Sequence, residues 1–276
     1  MAATVTDIVK IMEAIAPSHL AQKWDNVGLQ VGDPNRAVAS VWVALDPTLK
    51  VIRDAAQNGT DLLITHHPLF FRPLKCIDLR SEQGAVIEMA LAHGIAIFAA
   101  HTNLDAAIGG ANDILARRLG LVDAVPLAVG AAQGNCHETP RQDVPGLGRI
   151  GRLASSMALG EFAQMVRDRL ELETVKVSGD PRLQVEWAAV CSGSGSGLMK
   201  DFFASSAQVY VSGDLHYHDA MDAVAAGRGF VDVGHFASEH IMVDALVERL
   251  RERITGARIQ AEVKACGIEK DPFRQV

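Results

Sequence analysis

Apolar residues recur along this chain in two alternating patterns. The first stretch with helical spacing carries Ile8, Ile11, Met12 and Ile15, which predicts a helix over Thr6–Ile15 with Thr6 as its N-cap and Pro17 beyond its end. Short β-branched runs then alternate with further helical stretches. Strands are predicted at Ser40–Leu45, Asp61–Thr65 and Ile95–Ala100, and helices at Pro47–Asn58, Gln83–His93 and Gly110–Leu119. Glycines 59, 94 and 120 close those helices as C-terminal stops. From Val122 to Pro145 the rhythm fails, glycine and proline replace large apolar groups, and a linker or exposed loop is expected. Patterning resumes with Gly148–Leu153, a helix near Leu159–Leu170, and strands near Val175 and at Val185–Cys191. A helix after Ser196, strand Gln208–Ser212, a helix near Asp219–Ala226 and strand Gly229–Val233 follow. A long helix over His235–Ile254 and a strand near Ile259–Val263 end the pattern.

This alternation defines an α/β class with mostly parallel sheets, because strand–helix–strand units place helices over both sheet faces. It divides the chain into two α/β halves, residues 1–125 and 126–276.

Composition narrows the class. Of 276 residues, 49% are hydrophobic and 21% charged, which excludes a largely disordered chain. The net charge of −7 argues against a general nucleic-acid-binding surface. The N-terminal stretch lacks the basic segment and apolar block of a secretory signal, and no apolar run is long enough to span a membrane. Cysteines 76, 136, 191 and 266 are scattered without a CxxC pair, so reduced thiols in a cytoplasmic protein are expected.

Ten histidines against two tyrosines is the unusual count, and position gives it meaning. In parallel α/β sheets, functional groups gather at the carboxyl ends of strands. One predicted strand runs directly into His66-His67-Pro68. A second runs into His101, with Asp105 four residues on. A third runs into Gly234-His235, with Glu239 one helical turn further. Each pattern is commonplace alone, as a chance pair, a turn or a surface ion pair. Together they supply four imidazoles and two carboxylates, more than one tetrahedral site uses. The set fits two divalent ions with a bridging carboxylate. Nitrogen and oxygen donors without thiolate suit Zn, Fe, Mn, Co or Ni better than Ca.

Three further segments carry candidate chemistry. Ser212–Asp219 holds His218, a candidate proton shuttle, and Asp214, which reads as a turn or cap residue, within a segment suited to orienting ligand histidines. Trp24–Gly32 reads either as a turn into a strand or as a loop over the site that brings Asp25 and Asn26 to substrate. Cys191–Gly197 carries Gly193, Gly195 and Gly197, whose backbone N–H groups suit either a plain turn or a phosphate cradle. His19, His93, His137 and His240 have no partner pattern.

These strings together resemble the NIF-three-like, or YbgI-like, proteins, the GTP cyclohydrolase I type 2 homolog family, in its short form. The matching strings are WDNVGLQVGD, THHPLFF, HTNLD, GSGSG, SGDLHYHDA and GHFASEH, in family order over most of the chain. The resemblance implies two interlinked α/β domains and a dinuclear metal centre on His66, His67, His101, Asp105, His235 and Glu239. It also implies a toroidal homohexamer with metal sites facing an internal cavity. The expected activity is metal-dependent hydrolysis by a metal-bridging hydroxide, either GTP cyclohydrolase-like or on a nucleotide or other phosphoester, with a small substrate that carries phosphate or lacks it. The alternative expectation is a non-catalytic metal-delivery or scaffold protein. Neither reading calls for a membrane or a nucleic acid.

Overall fold

The computed structural model describes residues 3–129 and 143–274. Cys136, His137 and most of the glycine- and proline-rich stretch expected as a loop lie outside the described residues. The chain groups into two compact units, and the boundary differs from a single break near residue 125. One unit comprises Met1–Leu104 with Met242–Val276, the other Asp105–Ile241. The reason is the last strand. Glu262–Ala265 pairs in parallel with Ser40–Ala44, so the C-terminal segment belongs to the first sheet.

In the first unit, five strands lie in the order Glu262–Ala265, Ser40–Ala44, Leu62–Thr65, Ala96–Ala99 and Gly28–Val31. The first four pair in parallel, and Gly28–Val31 adds an antiparallel edge. The strands Leu62–Thr65 and Ala96–Ala99 are buried along their whole length, as continuous apolar runs in a parallel sheet require. Helices Leu49–Gln57 and Glu82–His93 contribute Val51, Ile52, Val86 and Ile87 to a core that also holds Leu63 and Ile97. Thr48 and Ser81 cap these helices through their side chains, and Gly94 closes the second in the left-handed conformation.

The first helix runs Val5–Ile15, and its N-cap is Thr4 rather than Thr6. The Thr4 hydroxyl accepts from the Asp7 N–H, while the Asp7 carboxylate accepts from the Thr4 N–H at 3.1 Å. This reciprocal box needs an acid three residues after the cap, which only Thr4 has. Thr6 instead donates its hydroxyl to the Pro34 carbonyl.

The second unit holds a six-stranded sheet in the order Val122–Ala128, Leu147–Ala158, Gln184–Ser194, Val209–Gly213, Gly229–Asp232 and Lys176–Ser178. Three of its five pairings are antiparallel, so the mostly parallel expectation holds for the first sheet and not for this one. A rhythm of strands and helices gives element order but not strand direction. Here Lys176–Ser178 goes to the far edge, and Gln184–Ser194 then enters against Leu147–Ala158. Val122–Ala128 is a strand, not part of a linker. Its Pro126 lacks a donor and its Asp123 has positive φ, features an edge strand tolerates. Helices Ala111–Arg118 and Leu159–Arg169 pack Leu115, Phe162 and Val166 into one core of this unit. A second core forms around Phe202, Tyr210 and Phe230. No helix among the described residues is long and apolar enough to cross a membrane.

Candidate metal centre

His66 and His67 follow directly on the buried strand Leu62–Thr65. Their backbone N–H groups still donate to Ala44 and Leu45, so the neighbouring parallel strand fixes both residues. The Thr65 hydroxyl donates to the His67 carbonyl at 2.8 Å and bends the chain at this point. The His66 and His67 rings lie 5.2 Å apart at 50°, and both reach His101, with centroids 5.1 and 5.6 Å away. One ligand atom from each of the three lies within 4.8 Å of the others. The turn that two adjacent histidines need in order to share a centre is therefore present.

Each ring is oriented by an oxygen acceptor on Nδ1. His66 Nδ1 meets the Ala100 carbonyl at 2.9 Å, His67 Nδ1 meets Asp46 Oδ1 at 2.8 Å, and His101 Nδ1 meets Asp25 Oδ1 at 2.9 Å. A carbonyl or carboxylate oxygen only accepts, so the proton sits on Nδ1, and Nε2 presents its lone pair as the ligand atom. Asp46 is held in turn from the C-terminal segment, where the Glu269 carboxylate accepts from the N–H groups of Leu45 and Asp46. Asp25 has no exposed side-chain surface. Burial alone would raise its carboxyl. Hydrogen bonds from His101 and Thr102 outweigh that and hold it at about 2, so it stays an anion.

In the second unit, the candidate ligands are Asp105, His235 and Glu239. Asp105 sits on the short helix Thr102–Ala106 and accepts from the Ser192 hydroxyl at 3.2 Å. His235 opens the helix His235–Gly256. Its Nδ1 meets Asp214 Oδ2 at 2.7 Å, and its Nε2 lies 3.0 Å from Glu239 Oε2 one turn on. Glu239 is buried. Burial, followed by the charge of Asp105, pushes the Cys191 thiol up to about 12. It therefore remains a neutral thiol beside a nitrogen and oxygen donor set.

The other candidate residues make these contacts within the chain. Asp214 does not cap the following helix, whose N-cap is His216 without a side-chain bond. Asp214 instead orients His235. Asp25 positions His101 and accepts from the Thr102 N–H. Asn26 donates to the Phe70 carbonyl at 2.6 Å. His218 is exposed on the helix Tyr217–Ala225 and packs edge-on to Tyr217. Gly193 and Gly195 are glycines for packing. At Gly193, which has φ +64°, a Cβ would lie 2.0 Å from Glu239 Oε1. At Gly195 it would lie 2.1 Å from the Ser212 hydroxyl. The Gly193 N–H is already donated to Ser238, and Ser212 and Tyr210 donate to the carbonyls of Gly193 and Gly195. Only Gly197 of the three has open space around it. Asp46 and Glu269 were not legible as site residues. Asp46 follows strand Ser40–Ala44 much as His66 follows its own strand, and that position was the one available signal.

Known proteins resemble this chain over nearly its whole length. The family model for Duf34/NIF3 (NGG1p interacting factor 3) matches residues 3–272. A protein of Clostridium perfringens named GTP cyclohydrolase 1 type 2 homolog is 31% identical, with 98% of each chain covered. The crystal structure of a Bacillus cereus protein related to NIF3 superposes with a TM-score of 0.91 at 28% identity, covering all of both chains. Reduced HcgD from Methanocaldococcus jannaschii is likewise 28% identical, with a TM-score of 0.77 over 97% of this chain and 99% of that one. The chain belongs to the Duf34/NIF3 family.

Proposed function

We propose that this chain is a dinuclear metal-dependent hydrolase of small phosphate-containing substrates, nucleotides among them. His66, His67 and His101 form one donor set, and Asp105, His235 and Glu239 the other. One observation carries the reading. His66, His67 and His101 each have Nδ1 held by an oxygen acceptor, Ala100, Asp46 or Asp25, which leaves Nε2 as the ligand atom, while His235 has Nδ1 on Asp214 and Nε2 3.0 Å from Glu239. Outer partners of this kind fix the tautomer and raise the basicity of metal-ligating histidines. Divalent ions of the Zn, Fe, Mn, Co or Ni type would supply Lewis-acid polarisation and a water acidic enough to ionise near neutrality.

The chain's own contribution is positional. Asp25 and Asp46 hold two imidazoles by Nδ1 with their Nε2 atoms close together, and Ser192 fixes one oxygen of Asp105. His218 remains the proposed proton carrier, and Gly197 the glycine with room to approach a phosphate. The family resemblance supports a cytoplasmic toroidal homohexamer, which analytical ultracentrifugation tests. The deciding experiment reconstitutes purified protein with each metal and screens nucleotides, phosphoesters and cyclic amides. Turnover that Asp105→Ala abolishes is the expected result. Absence of turnover with rapid metal transfer to a chelating partner would instead establish a delivery protein.

A further inference from the structure

Two large aromatic side chains stand beside the three-histidine cluster and are more than half in water. Trp24 is 57% exposed and Phe71 is 51% exposed. Their ring centroids lie 5.4 Å apart, tilted by 46°. Both also meet the His101 imidazole edge-on, at 6.0 and 6.5 Å. The neighbours of Phe71 behave differently, since Leu69 is buried and Phe70 packs against the same core.

The pair is exposed yet firmly held. Asn26 donates to the Phe70 carbonyl, the Phe70 N–H donates to Gln30 Oε1 at 3.2 Å, and Gln30 donates to the Asn26 carbonyl at 2.7 Å. This closed ring of bonds ties the segment behind Trp24 to the segment carrying Phe71. Gln83 fixes the Leu69 carbonyl at 2.9 Å, and Asp25 anchors the residue next to Trp24 on His101 and Thr102. Aromatic surface held in a fixed geometry, and left in water, is what a stacking site presents.

We infer that Trp24 and Phe71 form the subsite for the planar heterocycle of the substrate, a purine-like ring, and seat that ring beside the imidazole donors. Base-on-aromatic stacking tolerates any base, because every base has a π-face. The subsite therefore provides ring affinity, while the metal donors address the bond to be broken. The inference rests on the proposed metal-dependent nucleotide hydrolysis and names the group that recognises the base.

The test uses calorimetric titration of the purified full chain with GMP, AMP and ribose 5-phosphate, with metal content and sedimentation measured on the same samples. Both nucleotides should bind at least about tenfold tighter than ribose 5-phosphate, which lacks the ring. Trp24→Ala and Phe71→Ala should each weaken GMP by about tenfold without changing affinity for ribose 5-phosphate, metal content or sedimentation. Trp24→Phe should restore most of the loss. Equal binding of GMP and ribose 5-phosphate would overturn the subsite, as would unchanged GMP affinity in Trp24→Ala. A drop in sedimentation for Trp24→Ala would also overturn it, by assigning the patch to contact with a second copy. If the protein holds metal but shows no ring preference, the subsite alone falls. If wild-type protein takes up no metal, the hydrolase reading falls.

Discussion

The two candidate donor sets differ in chemistry although both follow strand ends. The first unit offers three imidazoles and no carboxylate, with every ring braced by an oxygen. The second brings Glu239 within salt-bridge reach of His235, and Asp105 is its further candidate carboxylate. Neutral nitrogen donors hold an ion by directed lone pairs and depend on ring orientation. Carboxylates add charge and tolerate looser geometry. The imidazole set follows two fully buried parallel strands, with the buried anion Asp25 behind it. The carboxylate set relies on close packing, with Glu239 pressed against Gly193.

The largest effect should come from emptying the imidazole set. His66→Ala with His101→Ala is expected to cost more metal affinity than loss of any outer partner, and elemental analysis should show most of the bound metal gone. A variant that keeps its full metal complement would break the comparison at its base. Next come the outer partners. Asp25→Asn and Asp214→Asn should each weaken metal binding about 10–100-fold. Asp25 belongs at the upper end because it is buried, whereas Asp214 is half exposed and water replaces part of its role. Competition with a chelator measures both, and equal losses would show that burial does not separate the two sets.

Gly193→Ala probes the packing of the carboxylate set. It forces a left-handed φ on alanine and drives a methyl into Glu239, so a loss of about 1–3 kcal/mol in stability is expected by thermal denaturation. Gly197→Ala, with open space around it, should stay near wild type. A separate effect concerns alkaline pH. Burial raises the thiols of Cys191 and Cys266 in the two units, to about 12 and about 11. A raised folded value means that the stabilisation is complete below the ordinary thiol value of 9.0 and is lost as pH rises through the folded values. Denaturant midpoints should therefore fall above about pH 9, and Cys191→Ala should flatten part of that fall. A wild-type midpoint that stays level to pH 11 would contradict the burial of both thiols.

Much of the first unit was legible because its strands are buried on both faces. Runs such as LLIT and AIFA announce themselves without any tertiary information. The edges were not. Val122–Ala128 looks like linker because an edge strand tolerates proline and small residues. Strand direction in the second sheet was invisible because helices and strands alternate in the same way whichever direction each strand runs. The GSGSG segment suited either a plain turn or a phosphate cradle, and what it did not reveal is that a Cβ at Gly193 or Gly195 would meet Glu239, Ser212 and Tyr210, residues distant in sequence.

Sequence alone determined the α/β class, the places where donor residues follow strands, and the family resemblance. Those depend on periodicity and on order along the chain, which are local. Tertiary structure decided which oxygen orients which imidazole, that Asp25 meets His101 and Asn26 the Phe70 carbonyl, that the last strand returns to the first sheet, and that Trp24 meets Phe71. Those pairings join residues tens to hundreds of positions apart, and only the folded backbone sets the distances between them.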